Sequence, residues 1–285
     1  MVAVFLPRVV CTSGSILMKG SGMQARKAYV DTAHGQIHYR YTQGSGIPLV
    51  FLHQTASSSA MWVPMMDELQ GRPCYAFDTP GFGGSYDPES VPDIGYYVGV
   101  MSEALSGVGI ERFHLCGHHT GACVAVELAA EHPQQVVSLA MFGPVQLTRA
   151  ERDEFRKHFS TPFAPNRDGS YLQQTWDYLA GLGADRRLDL HHREVVDTLR
   201  AWRGRVQAYN AVWDQDFPAL MERVECPILL MCSRDDVLWP YFERAVQARP
   251  DARAEVVRGA NFEPDLDPEG CVRAYEAFLR EEVRG

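Results

Sequence analysis

Four short apolar runs, IPLVFLH, CYAFD, FHLCG and VVSLAMFGP, recur between residues 47 and 144 with helical patterns between them. Nothing else in the chain limits its fold as strongly. Each run has the length of a buried strand and lacks the polar alternation of a half-exposed one. Parallel strands cannot be joined by a tight turn, so the intervening helices serve as crossovers and cover the two faces of a sheet. The expectation is therefore an α/β chain with a mostly parallel central sheet.

The remaining segments fit that frame. YVDTAHGQIHYRYTQG reads as a hairpin with its turn at His34-Gly35. A helix is expected from about Tyr96 to Gly107, and HHTGACVAVELAAEHP reads as a helix opened by a sharp turn and stopped before Pro133. From about Val145 to Glu222 buried strands give way to helical patterns rich in aromatics, among them Phe155, Phe159, Trp176, Tyr209 and Trp213. CPILLMCSRDD and ARAEVVRGANF then restore the strands, and GCVRAYEAFLREEV closes as an amphipathic helix.

A length of 285 residues suits one large domain carrying an insertion. The division expected is a core at 23–145 and 223–285, with a helical cap inserted at 146–222. Residues 1–22 read as a leader or extension, with Met23 an alternative start. Their apolar run is cut after six residues by Pro7 and Arg8, which is too short for a secretory signal.

Charge and cysteines narrow the partners. Against 36 acidic residues stand 27 basic ones, a net charge of −9, which disfavours nucleic acid and anionic membrane surfaces. Arg186-Arg187 and the arginines from 200 to 205 read as solvated helix faces. The seven cysteines are scattered, mostly in apolar runs and without a CxxC pair, so they read as buried small side chains in a reducing, cytoplasmic setting. No apolar run approaches the roughly 20 residues of a membrane span.

Three stretches, in this order, carry a family resemblance: VFLHQTASSSAMW, CYAFDTPGFGGS and CGHHTGACVAVELAAEHP. They resemble the oxyanion loop, the D-x-P-G-x-G-x-S turn and the G-x-S-x-G nucleophile elbow of the α/β-hydrolase superfamily. SRDDVLWP and GANF fall where that family places its acid and its histidine. The resemblance implies an α/β-hydrolase fold with flanking helices and a helical cap. It sets Asp236 on the acid, but His119 on the nucleophile position and Asn261 on the usual histidine position.

Acyl-enzyme chemistry needs a hydroxyl or thiol beside a base, and neither stands at the mapped positions. The loop HQTASSS also resembles that of haloalkane dehalogenases, whose mechanism, like that of epoxide hydrolases, requires an elbow Asp that is absent here. What the resemblance leaves is an oxyanion hole from the amides of Thr55 and Thr120. His119 sits at a helix N-terminus, which favours a neutral ring, with reach to Asp236 or Asn261.

The expected catalytic set is His119, Asp236, Asn261 and His53, with Gln54, His118, Trp176 and Phe262 as substrate-binding candidates. No cofactor and no metal are expected. Adjacent elbow side chains point apart, which argues against a zinc site from His53, His118 and His119. Asp78 reads as a turn residue, Ser57 to Ser59 as a loop and helix cap, and His191-His192 as surface.

The partner expected is a small carbonyl compound with an apolar portion, bound by a monomer or homodimer. The first expectation for the reaction is acid/base chemistry at His119 of lyase, decarboxylase, isomerase or cyclase type. The alternatives are hydrolysis with His119 activating water or attacking directly, and ligand binding without turnover.

Overall fold

The computed structural model describes residues 25–281 and residue 283; the expected leader at 1–22 lies outside them. The chain opens with a hairpin, β1 (Arg26–Thr32) and β2 (Gly35–Thr42). It then alternates through β3 (Leu49–Leu52), α1 (Val63–Glu68), β4 (Cys74–Phe77), α2 (Ile94–Val108), β5 (Phe113–His118), α3 (Thr120–Glu131) and β6 (Val136–Phe142). Five helices follow: α4 (Arg149–Phe159), α5 (Ser170–Gly181), α6 (Leu188–Arg200), α7 (Trp202–Asp214) and α8 (Phe217–Arg223). The sheet resumes with β7 (Ile228–Ser233), α9 (Trp239–Ala248) and β8 (Arg253–Val257), and the chain ends in α10 (Glu263–Leu266) and α11 (Pro268–Glu281).

The strands form one sheet in the order β1-β2-β4-β3-β5-β6-β7-β8. From β4 to β8 every pairing is parallel, while β2 runs antiparallel to both β1 and β4. Alternation along the strands divides the core in two, because successive side chains leave a strand on opposite faces. Val50, Leu52, Leu115 and Leu230 pack with Val98, Met101, Val124, Val126 and Phe242 of α2, α3 and α9. Leu49, Phe51, Cys116 and Leu229 pack instead with Met65 and Met66 of α1 and Tyr275 and Phe278 of α11.

Two boundaries differ from the sequence reading. The hairpin pairs Thr32 with Gly35, so its two loop residues are Ala33 and His34, one position earlier than expected. Helix α2 starts two residues before Tyr96 because the Asp93 carboxylate accepts from the Tyr96 amide, an N-cap that the apolar pattern does not announce. Of the seven cysteines, Cys74, Cys116, Cys123, Cys232 and Cys271 are buried thiols and Cys226 is partly buried; Cys11 lies outside the described residues. Among the described residues no helix is long and apolar enough to cross a membrane.

The turn after β4 is held by one buried carboxylate. Asp78 accepts from the amides of Ser59 (2.6 Å) and Gly84 (2.8 Å) and from the His38 ring at 2.7 Å. It thereby joins the loop after β3, the turn after β4 and strand β2. Burial alone would push its carboxyl up, but the His38 contact, the nearby His53 ring and the two amides outweigh this and hold it at about 2.

With the folded value below the ordinary one, the stabilisation is present above about pH 4 and lost as pH falls toward the folded value. The shift corresponds to about 2 kcal/mol. Asp78→Asn is expected to lower stability at neutral pH by about that much. It should also flatten the acid limb between about pH 4 and 2, read as urea midpoints across that range. A variant as acid-sensitive as the parent would contradict this role.

Candidate active site

The chain reverses between β5 and α3 in a turn with His119 at its apex. His119 has φ 47° and ψ −106°, a conformation side chains rarely adopt. Two glycines permit it. A Cβ on Gly117 would run into the backbone of Gly121, and one on Gly121 into the backbone of Leu52 and His53. The turn therefore packs directly on the end of β3, where only hydrogen atoms fit.

The His119 ring points across to the loop after β7. Its Nε2 lies 2.8 Å from Asp236 Oδ2, and Asp236 Oδ1 accepts from the Leu238 amide at 2.6 Å. The Asp236 carboxylate is fully buried and the His119 side chain is 14% exposed. With Nε2–H donating to the carboxylate, Nδ1 is the nitrogen left for a reacting group, and it has no protein partner among the described residues. Room for an imidazole comes from Gly143 (φ 55°), where a Cβ would collide with the ring.

His119 opens onto a pocket partly open to solvent, about 420 Å³ when the space at its mouth is included. Its polar lining is Gln54, Thr55, Thr120 and Asn261, and its apolar lining includes Val145, Leu182, Val212, Val237 and Leu238. Phe155, Phe159, Tyr209 and Trp213 of α4 and α7 complete the wall. Gln54 Nε2 donates to the Asn261 carbonyl at 2.8 Å, which ties the loops after β3 and β8 together across the site. Thr120 opens α3, so its amide has no intrahelical acceptor, and neither it nor the Thr55 amide is engaged elsewhere among the described residues. Thr55 Oγ1 and Asn261 Oδ1 are buried without a protein partner.

Other residues singled out from the sequence lie off the cavity wall. His118 is completely buried and turned away from it, with Nε2 2.8 Å from Glu263 Oε2; burial, with the rings of His119 and His53 close by, holds its ring well below the usual imidazole range. His53 donates from Nδ1 to the Gln54 carbonyl and accepts at Nε2 from the Thr79 amide, so it is fixed as a neutral ring, again through burial. Phe262 packs with Leu179, Ala184 and Leu190.

Trp176 stacks on His191, centroids 3.9 Å apart, and its carbonyl accepts from the His191 ring. His191 is therefore buried, not on the surface as expected, while His192 is exposed. Ser57 and Ser58 donate to Glu194 and Asp197 of α6, and Ser58 caps the short helix at Ser59–Trp62.

Two residues at the centre of this arrangement have no counterpart in the sequence reading. Gly143 follows β6 without any local signal. Glu263 is an acid two positions after Asn261, the first of four in NFEPDLDPE, and nothing local marks it as the buried partner of a histidine. Cys232, Asp236 and Glu263 bring their ligand-type atoms within 4.8 Å of one another. Those carboxylates are already engaged by His119, His118 and the amides of Leu238 and Ser233.

Comparison with known proteins places this geometry in context. A family model described as the alpha/beta hydrolase family matches residues 49–274. A fluoroacetate dehalogenase from Burkholderia sp is 25% identical over 281 residues, covering 85% of this chain and 90% of that protein. A putative carbamate hydrolase from Escherichia coli O139:H28 is 25% identical over 238 residues, covering 78% and 86%. Among solved structures, the enol-lactonase from Burkholderia xenovorans LB400 superposes with a TM-score of 0.76 at 18% identity, covering 89% of this chain and all of that one. E-2-(acetamidomethylene)succinate hydrolase gives 0.74 at 22%, covering 90% and 99%.

The room at Gly143 is open to test. Gly143→Ala is expected to push the His119 ring off Asp236 and to cost about 1–3 kcal/mol from overpacking and from the positive φ. A crystal structure of the variant and its urea midpoint would show both. A ring still bonded to Asp236 at unchanged stability would mean the contact is looser than the geometry implies.

Proposed function

Because the chain belongs to the alpha/beta hydrolase family, we propose that it hydrolyses a small carbonyl compound with the imidazole of His119 acting where a serine hydroxyl usually acts. The observation that carries this reading is the direct bond from His119 Nε2 to Asp236. It reproduces the acid–imidazole half of a triad, with the imidazole carried by the elbow itself. The carboxylate fixes the tautomer, so Nδ1 presents its lone pair to the cavity.

In the proposed reaction the substrate carbonyl lies against the amides of Thr55 and Thr120. Nδ1 removes a proton from water as its oxygen attacks, and the carbonyl oxygen takes up the negative charge against those amides. The imidazolium, stabilised by Asp236, returns the proton to the leaving group as the tetrahedral adduct collapses. A direct attack of Nδ1 on the carbonyl, followed by hydrolysis of the acyl-imidazole, uses the same groups. Gln54 and Asn261 border the reacting end. Helices from 146–222 act as the cap over a core of 23–145 and 223–285, since much of the apolar wall for the substrate body comes from α4, α7 and Leu182 just after α5.

Hydrolysis takes precedence over the elimination, decarboxylation, isomerisation and cyclisation reactions that the residues alone left open. The relatives are hydrolases, and this supports an enzyme and not a bare binding protein. A panel of carbamates and small acyl esters or amides with apolar bodies is the natural starting set of substrates.

His119→Ala is expected to lower kcat by about 10²–10⁴ with KM changed much less, the pattern of a lost acid/base group. His119→Ser should not recover activity, because no imidazole stands at Asn261 to activate the hydroxyl. Serine-directed phosphonates should leave the protein unlabelled, since Ser57 and Ser58 are bonded to carboxylates of α6. Full turnover by His119→Ala, or stoichiometric labelling of a serine in that loop, would remove the reading.

A further inference from the structure

Beneath His119 and Asp236 lies a second histidine–carboxyl pair that the proposed reaction does not use. Glu263 and His118 are both fully buried, with Nε2 2.8 Å from Oε2. The other Glu263 oxygen accepts from the Ser233 amide at 3.0 Å. The His118 ring packs against the His119 ring, centroids 4.4 Å apart, and a carboxyl oxygen of Glu263 lies within 4.8 Å of one of Asp236.

Four titratable groups thus form one closed cluster, His119–Asp236 above and Glu263–His118 below. The other groups facing Glu263 are the thiol of Cys232 on β7 and that of Cys271 on α11, which points at the Glu263 carbonyl, with His53 beyond His118. Among the described residues no lysine or arginine pairs with either carboxyl.

Two carboxyl groups this close, out of water and without a cation, strongly disfavour ionising together. The favoured state keeps one proton between them. Asp236 has the partners of an anion, an imidazole N–H and a backbone amide. Glu263 is the deeper of the two, and burial together with the charge on Asp236 pushes it well above the usual carboxylate range. His118, held neutral, supplies no charge to oppose this.

We propose that Glu263 is a positioning residue that stands against Asp236 as a neutral carboxylic acid. It donates its proton toward Asp236 and leaves Asp236 the one anion facing His119. The elbow imidazole then meets a single, hydrogen-bonded negative charge of fixed orientation. An ionised Glu263 would double that charge and hold the ring as imidazolium, useless as a base. The proposal rests on His119 being the working base, but its test needs no substrate, so the two can fail separately.

The experiment is an NMR titration of the whole protein, reading the Glu263 carboxyl carbon and the His119 ring nitrogens. In the parent the Glu263 carbon is expected at its protonated position at neutral pH. Glu263→Gln keeps a neutral donor and should leave the His119 midpoint within about 0.3 units. Glu263→Met removes the donor without adding charge, so Asp236 becomes a less stabilised, more basic anion and the His119 midpoint should rise by about half a unit or more.

An ionised Glu263 at neutral pH would overturn the proposal. So would a fall of about one unit or more in the His119 midpoint on Glu263→Gln, the mark of a lost neighbouring anion. A folded Glu263→Met protein with an unmoved midpoint would reduce Glu263 to packing and equally overturn it. Should Glu263→Met fail to fold, the parent carbon position and the Gln variant decide alone.

Discussion

The site depends on one close approach, that of the β5–α3 turn to the end of β3. Gly121 rests on the carbonyls of Leu52 and His53, and Gly117 on Gly121 itself. That contact forces His119 into a left-handed conformation whose strain, of order 1–3 kcal/mol, must be offset by the packed sheet around it. In exchange, the first side chain of α3 is thrown clear of both strand and helix and toward the ends of β6 and β7. The Thr55 and Thr120 amides come to the same place because the loop after β3 and the first turn of α3 share that contact.

The second constraint is electrostatic. Two histidines and two carboxyls are buried side by side, and ionisable groups survive there only by pairing. His119 with Asp236 and His118 with Glu263 use adjacent elbow residues that leave the turn in different directions, yet their partners come from neighbouring loops after β7 and β8. The Ser233 and Leu238 amides fix the two carboxyls independently of the histidines. The orientation of Asp236 is therefore set before any substrate enters, which is the preorganisation that acid/base chemistry at a single imidazole requires.

Much of the fold was legible because burial on both faces writes itself directly into composition. Runs such as FHLCG and ILLMC admit no amphipathic reading, and the glycines of the elbow mark a turn that needs them. The reach of His119 to Asp236 was also foreseeable, since an imidazole extends past a serine hydroxyl. What the sequence could not show was direction. His118, Trp176 and Phe262 are as suited to a cavity wall as the residues that form it, but local packing turns them into His119 and Glu263, His191, and Leu179 and Ala184 respectively. Glu263 was invisible for the same reason, because a buried acid is recognised only by what surrounds it. Asp93 and the Ala33-His34 turn show the ordinary one- or two-residue uncertainty of element ends.

Under the proposed reading, the histidine at 119 and the asparagine at 261 are best understood as one change. The His119 ring packs so closely on Gly143 that a Cβ there would meet it. Moving the imidazole from one loop to the other keeps its carboxylate partner but reverses its relation to the backbone. The base becomes rigid, anchored on a strained turn, and the residue at 261 is freed from proton transfer. Asn261 can then serve as a strut, its carbonyl bonded to Gln54, with its amide at the cavity edge. On this reading the relay is one member shorter than a triad, and the missing nucleophile is replaced by water or by the imidazole nitrogen itself. Such a site trades the long-lived acyl-serine for a base held at a fixed distance from the oxyanion amides. On the proposed reading it favours carbonyl compounds small enough for water to share the pocket with them, in keeping with its aromatic walls.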